Sequence, residues 1–128
     1  MAKIFLVDDD EITAQVASEA FFDAGHTFGW LEDGQEALHT IRCRRPDAVI
    51  LDQRMPGMPG MELLRELRRD AKTTLLPVMM LSAVASQNDQ SIAFYEGADD
   101  YLTKPFDAEM LVFRVEELLG RSRRVLAS

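Results

Sequence analysis

Four short apolar runs, each breaking off at a polar residue, constrain this chain more than any other feature. Lys3, Ile4, Phe5, Leu6 and Val7 lead into Asp8 and Asp9, and Ala48, Val49, Ile50 and Leu51 lead into Asp52. Val78, Met79, Met80 and Leu81 lead into Ser82, and Tyr101, Leu102 and Thr103 lead into Lys104 and Pro105. Apolar runs this short, rich in branched residues and bounded by breakers, read as strands. The stretch 48–51 has no polar face, as expected of a strand covered by helices on both sides.

Helical spacing fills the gaps between these runs. It predicts a first helix over 11–24, with Ile12, Val16, Ala17, Ala20 and Phe21 on one face and Gly25 as its stop. A short strand is expected near 26–31. Asp33 then caps a second helix to about Arg42, with Ala37, Leu38 and Ile41 inward. Pro46 breaks the chain before the next strand. Two prolines and two glycines make 53–60 a loop. A third helix over 61–69 buries Leu63, Leu64 and Leu67, and Pro77 opens the fourth strand. The fourth helix, 87–96, offers only Ile92, Ala93, Phe94 and Tyr95 as apolar residues and is expected to move easily. Asp107 caps the last helix, whose stripe is Leu111, Val112, Val115, Leu118 and Leu119. Gly120 is expected to close it, leaving 121–128 as a frayed tail. Strand–helix alternation of this kind gives an α/β fold with a parallel sheet and right-handed crossovers.

In an open parallel sheet the carboxyl ends of the strands meet at one edge, where ligands bind. Here that edge gathers Asp8, Asp9, Asp52, Ser82 and Lys104. Two like charges about 4 Å apart repel by about 4 kcal/mol at an effective dielectric near 20. Clustered carboxylates therefore favour protonation or a cation, and hard oxygen ligands that leave room for waters suit Mg2+. A carboxylate nucleophile beside a cation and an ammonium suits phosphoryl transfer, which needs positioning and charge neutralisation above all.

Size and charge narrow the function classes. The 128 residues are one domain by length, and 47% hydrophobic content supports a real core. A formal charge of −8 disfavours direct binding of nucleic acid. The basic spots at Arg42, Arg44 and Arg45, and at Arg121, Arg123 and Arg124, read as solvated helix ends. Cys43 is the only cysteine, which excludes an internal disulfide and a thiolate metal cage. No apolar stretch is long enough to span a bilayer, and no signal peptide is visible, so a cytoplasmic protein is expected. His26 and His39 stand apart from any metal-ligand spacing and are expected to be exposed.

The runs Phe5-Leu6-Val7-Asp8-Asp9, Leu51-Asp52-Gln53-Arg54-Met55-Pro56-Gly57, Leu81-Ser82-Ala83 and Lys104-Pro105-Phe106 together resemble the receiver domain of two-component response regulators, chemotaxis regulators among them. The resemblance covers the chain from about Ala2 to Gly120. It implies a doubly wound, flavodoxin-like sheet of five parallel strands in the order 2-1-3-4-5 with five helices. Residues 1–120 would be the receiver and 121–128 a C-terminal tail or linker stub. Asp52 would accept a phosphoryl group from a phosphohistidine on a sensor histidine kinase or phosphotransfer protein. Asp9, Asp52 and the backbone carbonyl of Arg54 would bind Mg2+ directly, with Asp8 acting through a water. Lys104, Ser82 and the Ala83 amide would contact phosphoryl oxygens. Tyr101 would be the switch residue that follows Ser82 inward and remodels the surface of helix four, strand five and helix five. The resemblance also implies a cis Lys104–Pro105 bond, a downstream effector protein or output domain as partner, and a homodimer as one mode of assembly.

Plainer readings stand beside these. Asp10 is expected to cap the first helix, Ser82 also fits the start of a loop, and Tyr101 also fits ordinary strand packing. Ser82 stands where threonine is commoner. Arg54 sits beside the acceptor, and Arg54 and Val84 are expected to tune the lifetime of a phosphorylated form. A small aspartyl-phosphate phosphatase is an alternative, but it needs an acid two residues after the nucleophile, and Arg54 stands there. A docking domain independent of phosphorylation is another. The expectation is a self-phosphorylating and self-dephosphorylating acceptor, not a turnover enzyme.

Overall fold

The computed structural model describes residues 1–83 and 86–127, with side chains described through Ser122. Val84, singled out above, lies outside the described residues. Strands β1 (Lys3–Val7), β2 (Thr27–Leu31), β3 (Ala48–Leu51), β4 (Val78–Ser82) and β5 (Asp100–Thr103) alternate with helices α1 (Glu11–Asp23), α2 (Gly34–Arg44), α3 (Gly60–Arg69), α4 (Gln87–Tyr95) and α5 (Ala108–Ala127). All strand pairs are parallel, in the order β2-β1-β3-β4-β5.

The period of two along each strand sorts the core into two layers. Ile4, Leu6, Ala48, Ile50, Met79 and Leu81 pack with α1 and α5. Phe5, Val7, Val49, Leu51, Val78 and Met80 pack with α2, α3 and α4. The three central strands are therefore buried on both faces, which is why their sequences show no polar alternation.

The caps act where the sequence places them. Asp10 Oδ1 accepts from Ile12 N at 3.1 Å, and Asp33 Oδ1 from Gln35 N at 2.8 Å. Asp107 Oδ1 accepts from Glu109 N at 2.8 Å and Met110 N at 3.2 Å. The Thr13 hydroxyl donates to Asp10 at 2.7 Å and, with the Ile12 amide, holds that carboxyl below its usual range.

Three expectations need correction. On α1 the buried stripe is Thr13, Ala14, Ala17 and Phe21, while Ile12 and Val16 face solvent. The small residues let α1 lie close to the sheet, so the larger side chains one position away point outward. Gly120 does not end α5, which continues to Ala127. One glycine costs a helix only about 1 kcal/mol relative to alanine, and no proline follows to stop it. His26 is not free in solvent. Its Nδ1 accepts from Ala2 N at 3.0 Å, so Nε2 carries the proton toward Glu116 Oε2, also at 3.0 Å.

At the end of the sheet opposite the acids, Arg68 binds several loops at once. Its Nε donates to Gly97 O at 2.9 Å, Nη1 to Leu76 O at 2.7 Å, and Nη2 to Asp99 Oδ2 at 3.0 Å. Burial pulls its pKa down, opposed by the Asp99 carboxylate. Among the described residues, no helix is long and apolar enough to cross a membrane.

Candidate functional site

Chain polarity brings the site together. Every strand runs the same way, so the residues just after β1, β3, β4 and β5 share one edge. Asp8 N donates to Leu31 O at 3.0 Å, and Asp52 N to Val7 O at 2.9 Å, extending the sheet's pairing into the site. Lys104 N donates to Ser82 O at 2.9 Å and ties the ends of β4 and β5. The Lys104–Pro105 peptide is cis.

Carboxylate oxygens of Asp8, Asp9 and Asp52 all lie within 4.8 Å of one another. Asp8 is fully buried, Asp52 is 7% exposed and Asp9 faces solvent. Lys104 Nζ closes the cluster, 2.7 Å from Asp8 Oδ2, 3.5 Å from Asp52 Oδ2 and 4.0 Å from Asp10 Oδ2. Burial pushes the Asp8 carboxyl up to about 6, and the Asp52 charge adds to the rise. The Lys104 hydrogen bond and the Asp10 amide pull the other way. For Lys104, burial alone would lower the pKa, but the Asp8 hydrogen bond and the surrounding carboxylates outweigh it and hold the ammonium above its ordinary value.

The donor set fits Mg2+. Oxygens sharing one such octahedral ion at about 2.0–2.1 Å from it sit about 3–4 Å apart, close to the spacing found here. An exposed Asp9 beside two buried acids leaves one side open to water, which suits a cation that dehydrates reluctantly.

Ser82, the last residue of β4, is buried, and Ala83 beyond it is exposed. Tyr101 is 5% exposed, with its ring inside the α2–α3–α4 layer. Its hydroxyl donates to Gln53 Oε1 at 2.9 Å and also shares a hydrogen bond with the Ser82 side chain. Burial raises its pKa, which the Ser82 contact partly offsets. The structure thus joins Asp52, Gln53, Ser82 and Tyr101 in one connected group. Arg54 is exposed, and its amide faces Asp52 Oδ1 at 3.4 Å.

Three residues of this region had no role in the sequence reading. Gly60, the first residue of α3, leaves no room for a side chain: a Cβ there would sit 2.0 Å from the Asp52 carbonyl oxygen. Gln53 is the partner of Tyr101. Trp30 on β2 donates its indole N–H to the Asp8 carbonyl at 2.6 Å. In the sequence Gly60 reads only as a loop glycine just before the third helix, and Trp30 as a solitary tryptophan on a short strand.

The response regulator receiver domain, as a family, matches residues 4–116. The DNA-binding dual master transcriptional regulator RpaA of Synechocystis is 37% identical over 125 residues, which is 98% of this chain and 52% of RpaA. The receiver domain of Francisella response regulator 1452 superposes with a TM-score of 0.89 at 35% identity, covering 95% of this chain and 99% of that one. Vibrio cholerae chemotaxis protein CheY4 gives a TM-score of 0.86 at 32% identity, covering 92% of this chain and 98% of CheY4. The chain spans about half the length of the curated relatives it matches.

Proposed function

The chain belongs to the response regulator receiver domain family of two-component signal transduction, and from that premise we propose that Asp52 is its phosphoacceptor. The observation that carries this reading is the Asp8–Asp9–Asp52 cluster under Lys104 Nζ, 2.7 Å from Asp8 and 3.5 Å from Asp52. The donor is a phosphohistidine on a sensor histidine kinase or phosphotransfer protein. An Asp52 carboxylate oxygen attacks phosphorus, a P–O bond forms as the P–N bond breaks, and the imidazole leaves with the electron pair. Asp9, Asp52 and the Arg54 carbonyl would hold Mg2+ directly, with Asp8 acting through a water, and the ion would supply charge neutralisation for the phosphoryl oxygens. Lys104 shifts from its carboxylate partners toward a phosphoryl oxygen, and Ser82 and the Ala83 amide donate to others. Hydrolysis of the acyl phosphate by water resets the site, with no turnover of an outside substrate. Arg54, exposed beside Asp52, tunes the lifetime by hindering that water.

Ser82 and Tyr101 carry the event outward. They already share a hydrogen bond, so displacement of the Ser82 hydroxyl toward a phosphoryl group alters the seat of Tyr101. The surface of α4, β5 and α5 then shifts between two states, one of which an effector protein, an output domain or a second copy prefers. On α4 only Ala93 is buried, so little packing opposes that shift. The −8 charge keeps nucleic acid off this domain, and any DNA contact belongs to an output domain in a longer chain. The cytoplasm suits this chemistry, since it supplies kinase and Mg2+ and keeps Cys43 reduced.

Incubation with acetyl phosphate and Mg2+, followed by intact mass spectrometry, tests the assignment. One phosphoryl adduct is expected on the unmodified protein and none on Asp52→Asn. An adduct that survives the substitution overturns it.

A further inference from the structure

Asp8 is held on every polar atom. Its N–H donates to Leu31 O at 3.0 Å, its Oδ1 accepts from Asp10 N at 3.0 Å, and its Oδ2 accepts from Lys104 Nζ at 2.7 Å. Its carbonyl oxygen takes the indole N–H of Trp30 at 2.6 Å. The first three partners are backbone amides and carbonyls or a member of the site itself. The fourth comes from a side chain on β2, the edge strand.

That carbonyl belongs to the peptide plane linking Asp8 to Asp9. The plane is rigid, and in a trans peptide the C=O and the following N–H point in opposite directions. Fixing the carbonyl toward Trp30 therefore fixes the Asp9 N–H on the other side and restrains ψ of Asp8 and φ of Asp9, the torsions on which the aim of both carboxylates depends. The carbonyl oxygen is itself partly negative. Left unheld at the buried end of β1, it would lose a hydrogen bond beside acids that repel it.

We propose that Trp30 is a positioning residue for the cation site, acting through the Asp8–Asp9 peptide. This rests on the receiver reading of the acidic cluster. Mg2+ tolerates little departure from octahedral geometry, so a small rotation of the peptide that joins its ligand Asp9 to Asp8, which would hold one of its waters, weakens binding. Groups that orient ligands without touching the metal typically change affinity by 10–100-fold. Trp30 is also the chain's only tryptophan and is 36% exposed, so its emission reports this hydrogen bond without interference from another indole.

The test uses the whole chain and Mg2+ alone. Calorimetric titration should show Mg2+ binding to the unmodified protein, and tryptophan emission should change over the same concentration range. Trp30→Phe keeps an aromatic ring and removes the donor. It should weaken Mg2+ binding about tenfold. Arg68→Met, which loosens the far end of the sheet, should keep the unmodified affinity and so separates positioning from general destabilisation. Unchanged affinity in Trp30→Phe overturns the proposal, and so does emission that stays constant while calorimetry records binding; both leave the receiver reading intact. Absence of Mg2+ binding to the unmodified protein overturns that reading and the proposal together.

Discussion

The Tyr101 hydroxyl and the Gln53 side-chain carbonyl are hydrogen-bonded at 2.9 Å, which ties the last strand to the residue after Asp52. A buried hydroxyl left without this partner loses about 1 kcal/mol of stability. Gln53→Ala and Tyr101→Phe should each lower the urea unfolding free energy by about that amount, and the double variant by less than the sum. Additive losses would show that the two side chains do not act as a pair.

Acidity should control cation binding through Asp8. Its carboxyl sits at about 6 against an ordinary 3.8, chiefly because it is buried. A carboxyl raised on folding adds stability below its unfolded value, and that contribution is lost as pH climbs through the folded value. The metal-free protein at neutral pH therefore holds an unfavourable buried charge that a cation relieves. Apparent Mg2+ affinity should fall about tenfold from pH 7 to pH 5 as protons compete for Asp8. Melting curves should show a larger Mg2+-induced gain at the higher pH, and an equal gain at both would contradict the assignment.

Lys104 neutralises the acids when no other cation does. Lys104→Met should cost the metal-free protein about 3 kcal/mol, because it leaves buried carboxylates without their partner. The same substitution should tighten Mg2+ binding, since an internal competitor is gone, while slowing phosphoryl uptake from acetyl phosphate. Calorimetry and a labelling time course read the two effects separately.

Gly60 limits what can stand behind the acceptor. A Cβ at this position would meet the Asp52 carbonyl oxygen at 2.0 Å and Gln53 Cα at 3.0 Å, both main-chain atoms. Gly60→Ala should lower stability by about 1–3 kcal/mol through forced backbone movement, with a loss of labelling at Asp52 that Mg2+ does not restore.

Most of the architecture was readable because it rests on local rules. The strands announce themselves through unbroken apolar runs, the helices through Asp10, Asp33 and Asp107, and the acidic edge through the polarity of parallel strands. The misreadings came from features without a local signal. Ile12 and Val16 look like core by type, yet Ala14 and Ala17 make the contact because small residues permit closer approach. Gly120 resembles a helix stop, but nothing after it breaks the helix. The Trp30–Asp8, Gln53–Tyr101 and Arg68–Asp99 contacts join residues 22 to 48 positions apart in sequence, and no spacing rule foretells that.

The Arg68 guanidinium gives the molecule a fixed heel. It grips Gly97, Asp99 and Leu76, so the C-terminal end of α4 and the starts of β4 and β5 are anchored to α3. The other end of α4 joins the strand that finishes at Ser82, beside the acids. A push delivered there would meet a lever hinged at its far end, and α4 is expected to swing rather than slide. The largest displacement is then expected at its first turn, next to Ser86, and the smallest at Tyr95, a gradient that amide exchange with and without a phosphoryl mimic would read.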